Sequence, residues 1–345
     1  MHPTETETST RESVRTETAS HSPAVSVVVP AYLTAPYIGE ALASVFAQTF
    51  TDFEVVVVND GSPDTPELER ALEPYRERIA YIRQENRGPA AARNAGIRSA
   101  RGRYVAFLDS DDLWLPRYLE QQMRVLESDP ALDLIYTDAL FFGDSLLAGK
   151  TYMGLYPSNG EVTLESLLRF DVAVITSCVV ARRETLLAAG LFDERFFYSE
   201  DFDLWARLAH RRARFAYQTE VLARHRFHAS SLTANRARLF EGQLEVYRKL
   251  RQTLEMSPGE REALEMQLAR SEADLALEQG KRRLLEGEYS EAAEALSRAN
   301  DFYRSSKLRA VLLALRAAPG LLRRAYRLRH AFWLRRIRAT ERGAS

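Results

Sequence analysis

Three acidic clusters follow one another along the chain: Asn59-Asp60-Gly61-Ser62, Asp109-Ser110-Asp111-Asp112 and Ser199-Glu200-Asp201. The first two close apolar runs, Val55 to Val58 and Val105 to Leu108, and the third opens an amphipathic segment. Asp109, Asp111 and Asp112 are hard oxygen donors of the kind that Mg²⁺ or Mn²⁺ takes, with substrate phosphates completing the shell. Three carboxylates within four residues repel one another unless a cation sits among them. A leaving diphosphate calls for such a cation, because negative charge grows on it as its bond breaks. A solvated turn that caps the next helix would use the same residues.

Asp60 sits at the end of four consecutive valines, at a strand tip. A carboxylate there can accept the imide N–H of a uracil or thymine ring. The main chain of Pro30-Ala31-Tyr32, at the tip of the first apolar run, can meet the same base. An Asp-Gly turn is the plain alternative. No glycine-rich GxGxxG or Walker motif follows the first strand, so the phosphates fall to a metal instead of a loop. Asp201 is the candidate general base, because an acceptor hydroxyl that attacks a sugar needs a carboxylate within hydrogen-bond reach. Glu200 beside it could orient the acceptor. Acidic enrichment at a helix N-terminus explains Asp203 and would also account for Asp201.

The elements that must carry these residues alternate. Val25 to Val29, Phe53 to Val58, Ile79 to Arg83, Tyr104 to Leu108 and Leu134 to Tyr136 read as strands. Helical patterns follow over Tyr37 to Gln48, Glu67 to Arg78, Ala90 to Ala100 and from about Pro116. That alternation predicts an α/β fold with a mainly parallel sheet covered on both faces. Ligands bind such sheets beyond the carboxyl ends of the strands, where Asp60 and Asp109 fall. Further on, Ala173 to Ala181 looks strand-like, and a helix is expected from Glu200 to about Arg211, capped by Ser199 and burying Phe202, Trp205 and Leu208.

Taken together, six segments resemble the ordered motifs of family 2 glycosyltransferases with the GT-A fold. They are Val25 to Tyr32, Ser44 to Phe50, Asn59 to Ser62, Ala92-Arg93-Asn94-Ala95-Gly96, Asp109 to Asp112 and Glu200 to Trp205. The resemblance spans roughly Ala24 to Thr233 and implies a GT-A domain, Rossmann-like with a mixed sheet, that transfers a sugar with inversion and a metal. It implies that Pro30, Tyr32, Asp60, Arg93, Asp111 and Glu200 bind the nucleotide sugar and that Asp201 is the base. The metal set is Asp109, Asp111, Asp112 and His228, with Arg226 also near the diphosphate. The chain departs from the family where a tyrosine more often precedes that arginine, since His225 stands there; a surface or packing histidine is the other reading of His228.

Composition sets the remaining bounds. With 345 residues, 46% of them hydrophobic, the chain can bury one large core. One cysteine, Cys178, excludes an internal disulfide and a cysteine zinc site. Residues 1–23 read as a disordered tail, 24–240 as the GT-A domain, and 241–305 as a helical region with one tetratricopeptide-like hairpin around Gly280 and Gly287. Residues 306–345 read as basic amphipathic helices suited to an anionic membrane surface and not to nucleic acid. No run is long and apolar enough to span a bilayer. The expected partners are therefore a UDP- or dTDP-linked donor and a glycan or lipid-linked acceptor, at the cytoplasmic face of a membrane, with a homodimer left open. A non-catalytic scaffold of polysaccharide assembly and a nucleotidyltransferase are the rival readings.

Overall fold

The computed structural model describes residues 22–143, 147–228, 231 and 235–328. The N-terminal tail up to residue 21 and the basic segment from 329 onward lie outside the described residues. Eight strands form one sheet: β1 (Val25–Ala31), β2 (Phe53–Asp60), β3 (Ile79–Gln84), β4 (Tyr104–Phe107), β5 (Leu113–Trp114), β6 (Leu134–Gly143), β7 (Val179–Arg182) and β8 (Phe215–Phe227). Their order is β3-β2-β1-β4-β7-β6-β8-β5. The β3-β2-β1-β4 half is parallel. β7 then runs antiparallel to both β4 and β6. β8 is parallel to β6, with register shifts at Thr137 to Ala139 that bend the ladder.

The helices are α1 (Ala35–Phe46), α2 (Thr65–Leu72), α3 (Pro89–Ser99), α4 (Tyr118–Ser128), α5 (Tyr152–Leu155), α6 (Leu164–Arg169) and α7 (Arg183–Ala188). They continue with α8 (Glu200–His210), α9 (Arg236–Thr253), α10 (Pro258–Glu286), α11 (Tyr289–Tyr303) and α12 (Ser306–Ala317). Residues 319–328 are helical as well.

The valine runs form strands because both sheet faces are covered, so each alternate residue still meets a core. Val25, Val27 and Val29 pack under α1 with Ile38, Leu42 and Val45. Val28, Val105 and Phe107 point the other way, toward Ile97, Phe192 and Trp205. Helix α3 lies close on β1 because Gly96 has no side chain: a Cβ there would come within 2.3 Å of Val28 Cγ1. Arg93, one turn earlier on α3, thereby lies at the carboxyl end of β4, where it meets Asp109.

Two expectations need correction. The strand expected over Ala173 to Ala181 is a 3₁₀ turn, Thr176–Cys178, followed by the short β7; the turn carries the Thr176 hydroxyl to Asp201 instead of into a ladder. Ser199 occupies the N-cap position of α8 in a left-handed conformation (φ 59°) and makes no side-chain capping bond. Asp201 accepts the Phe202 amide at 2.7 Å instead.

Candidate active site

The carboxyl ends of β1, β2 and β4 open onto a cleft of about 500 Å³. Pro30, Tyr32, Asp60, Arg93, Asp109, Asp111, Glu200, Asp201 and His228 all line it, as do His225 and Arg226. Asp112 is not brought to the cleft.

Asp60 ends β2 and is buried. Its Oδ1 accepts from Gln84 Nε2 at 2.7 Å and the Arg87 amide at 3.0 Å, and its Oδ2 accepts from the Gly88 amide at 2.8 Å. Gly88 is left-handed (φ 88°), which glycine adopts without strain and which turns its N–H onto the carboxylate. A carboxylate has about four acceptor positions, so one remains for a donor arriving from the cleft.

Arg93 is the hinge pin of the floor. One arm of its guanidinium donates to Asp109 Oδ1 at 2.6 Å and the other to Glu200 Oε1 at 2.6 Å. Burial works against the charge of Arg93, but Asp109 and Glu200 outweigh it and hold the group cationic. Burial pushes the Glu200 carboxyl up to about 7, against the pull of Arg93. The Nε of Arg93 is buried and has no hydrogen-bond partner among the described residues.

Asp201, the second residue of α8, is oriented at both oxygens. Oδ2 accepts from Thr176 Oγ1 at 2.9 Å, and Oδ1 from the Phe202 amide. Asp203, two residues on, is fully buried between Arg207 at 2.8 Å and Lys249 at 2.5 Å. It therefore ties α8 to α9 and takes no part in the cleft.

Asp111 and His228 converge, with Asp111 Oδ2 at 2.9 Å from His228 Nε2, and His228 stacks on Tyr37. Arg226 Nε donates to the Asp111 carbonyl at 2.7 Å. Asp112 turns into the protein, where it meets His225 Nδ1 at 2.9 Å and accepts the Arg226 amide at 2.8 Å. Burial raises Asp112, while the Asp112 charge overcomes the burial of His225 and carries the imidazole up to about 9. The Arg226 amide also donates to Asp112, so the carboxyl is held from two sides. Asp109 is engaged by Arg93. Among the described residues no group of three or more His, Cys, Asp or Glu could by itself hold a metal ion. Asp111 and His228, both on the cleft lining and 2.9 Å apart, are of the types a divalent cation takes when phosphates and water complete its shell.

Residues 26–187 match the family described as glycosyl transferase family 2. An uncharacterized glycosyltransferase of Rickettsia prowazekii, RP339, is 34% identical over 223 residues, 62% of this chain and 67% of that one. The chain belongs to glycosyl transferase family 2. The putative glycosyltransferase EpsH of Bacillus subtilis is 41% identical over 131 residues, 38% of this chain and 37% of EpsH. Among solved structures, Staphylococcus aureus TarS 1–349 in complex with UDP-GlcNAc superimposes with a TM-score of 0.59 at 19% identity, covering 88% of this chain and 90% of that one. The mannosyltransferase PcManGT of Pyrobaculum calidifontis, in complex with GDP-Man and Mn²⁺, gives 0.58 at 23% identity, covering 89% and 85%. This glycosyltransferase therefore has the GT-A fold with a helical C-terminal region.

Several residues of the glycosyltransferase site were not singled out from the sequence. Thr176 orients Asp201, and Asn94 clamps the segment before α8 by donating to the Phe192 carbonyl at 2.9 Å and accepting its amide at 3.0 Å. Asn94 did stand inside a recognised motif, which was a usable signal. Thr176 had none, because the adjacent hydroxyls Thr176 and Ser177 in an apolar stretch look like tolerated core residues.

Proposed function

We propose that this glycosyltransferase moves a sugar, with inversion, from a UDP- or dTDP-linked donor to a hydroxyl of a glycan or lipid-linked acceptor. The setting is cell-surface polysaccharide synthesis at the cytoplasmic face of a membrane. The observation that carries the reading is the meeting of Asp60, Asp111 and Asp201, from three distant segments, in one cleft of about 500 Å³. That size suits a small organic ligand. The fold neighbour TarS is in complex with UDP-GlcNAc, and PcManGT with GDP-Man and Mn²⁺.

In this reading the open acceptor position of Asp60 takes the imide N–H of the base, between Pro30 and Tyr32. Asp111 and His228 hold the divalent cation, which when bound stabilises the charge growing on the leaving diphosphate. Asp201, fixed by Thr176 and the Phe202 amide, accepts the proton of the attacking acceptor hydroxyl. Arg93 keeps Asp109 and Glu200 in place, so the base helix holds its distance from the donor end of the cleft.

The test is a thermal-shift screen of nucleotide sugars with and without Mn²⁺, since a ligand of the folded state raises its melting temperature. A rise with UDP- or dTDP-sugars that needs Mn²⁺ is expected. A rise with GDP-sugars alone would overturn the base assignment, and no rise with any donor would overturn the reading itself.

A further inference from the structure

The net charge of −1 hides two opposite parts. Residues 302–340 hold eleven Lys and Arg and no Asp or Glu, which leaves −12 on the rest of the chain. In the structure, α12 and residues 319–328 stack on the α10 and α11 pair. Leu312 and Leu315, with Val311, Leu322 and Tyr326, pack against Leu284, Ala292 and Leu296. The opposite face is bare. Leu313, Leu321 and Leu328 are 66%, 68% and 72% exposed, more than any other large hydrophobic residue described. Lys307, Arg309, Arg316 and Arg324 are exposed beside them.

Spacing makes this a stripe and not a scatter. Arg309, Leu313 and Arg316 stand at i, i+4 and i+7 on α12, and Leu321, Arg324 and Leu328 at i, i+3 and i+7 on the next helix. Not every cation belongs to it. Arg323 and Arg327 reach back to the Leu285 carbonyl at 3.0 and 3.2 Å, satisfying the C-terminal end of α10. The four outward cations have no ion-pair partner among the described residues.

We propose that this outer face, on α12 and residues 319–328, docks on an anionic lipid bilayer. The three leucines enter the headgroup boundary and the cations lie against lipid phosphates. Nucleic acid would satisfy the cations but leave the leucines in water, so the leucines decide between the two. The −12 on the rest of the chain is repelled by the same bilayer, which makes docking directional: this end approaches first.

The full chain is tested by co-sedimentation with vesicles of phosphatidylcholine alone or mixed at about 3:1 with phosphatidylglycerol; each well-placed cation contributes about fivefold in partitioning. Binding to the mixed vesicles, weakened by salt and absent on the neutral ones, is expected. Changing Arg309, Arg316 and Arg324 together to Gln should lower partitioning about 100-fold. Changing Leu313, Leu321 and Leu328 together to Ser should lower it as well, and circular dichroism should show both variants folded, since every altered side chain is exposed. Equal binding to neutral vesicles would overturn the proposal. So would undiminished binding by either folded variant, or vesicle-free capture of a short RNA or DNA duplex that the Leu-to-Ser variant retains in full while vesicle binding is absent.

Discussion

Arg93 and Glu200 meet at 2.6 Å with side chains only 7% and 9% exposed. The other arm of the same guanidinium holds Asp109 at 2.6 Å. One cation thus joins the end of β4 to the start of α8 beneath the cleft, and two carboxylates depend on it. Arg93→Ala leaves both without their partner, and breaking a buried pair in this way costs about 3–5 kcal/mol. Arg93→Lys keeps the charge but not the fork, so it should recover only part of the loss. Urea unfolding measures both variants; an Ala variant within about 1 kcal/mol of the parent would mean that the bridge does not support the fold.

Glu200 also sets a pH dependence. Its carboxyl is pushed up to about 7 from an ordinary value of 4.5, chiefly by burial. Between those two values the folded chain binds a proton that the unfolded chain releases. The stability contributed by the protonated group is complete below about 4.5 and falls as pH rises through 7, by at most about 3 kcal/mol at 1.36 kcal/mol per pK unit. Glu200→Gln removes this titration. Its urea midpoint should change less than that of the parent between pH 5 and pH 8, and a parent that gains stability relative to the variant over that range would reverse the sign argued here.

Asp201→Asn separates geometry from proton transfer. The asparagine oxygen can still accept from the Phe202 amide while its NH2 donates to the Thr176 hydroxyl, so the side chain keeps its direction. It cannot accept a proton at neutral pH. Transfer should fall by about 10²–10⁴, the usual worth of a general base, while the donor-induced thermal shift is retained. Transfer that survives undiminished removes Asp201 from the mechanism. Thr176→Val should cost less, because it loosens the carboxylate without deleting it.

How much of this could be read in the residues follows from what each element packs against. The strands β1, β2 and β4 are nearly pure apolar runs because both faces are covered, and their ends located Asp60 and Asp109. β8 is the opposite case. Over Phe215–Phe227 only Leu222 and Ala223 are buried and the rest are half-covered or exposed, so it shows neither an apolar run nor a clean alternation. Without β8 the partners of the second acidic cluster were hidden, since it is β8 that brings His225 and the Arg226 amide onto Asp112. Adjacent aspartates with the same side chain thus have different neighbours. Only tertiary pairing distinguishes them.

That difference between neighbours gives the last prediction. Asp111 faces the cleft beside His228, whereas Asp112 is 1% exposed and bound by His225 and Arg226. Asp111→Asn and His228→Ala should each weaken Mn²⁺ binding about 10–100-fold, read by calorimetric titration in the presence of nucleoside diphosphate, with little change in melting temperature. Asp112→Asn should do the reverse, because it removes the carboxylate that holds the His225 imidazole protonated and that accepts the Arg226 amide. A loss of about 3 kcal/mol in stability is expected, with Mn²⁺ affinity of the folded fraction preserved. Chelation with EDTA should abolish the Mn²⁺-dependent donor shift in the parent and leave the unliganded melting temperature in place. If Asp112→Asn instead removes Mn²⁺ binding while the chain stays as stable as the parent, the cation belongs on Asp112, and the assignment to Asp111 and His228 fails.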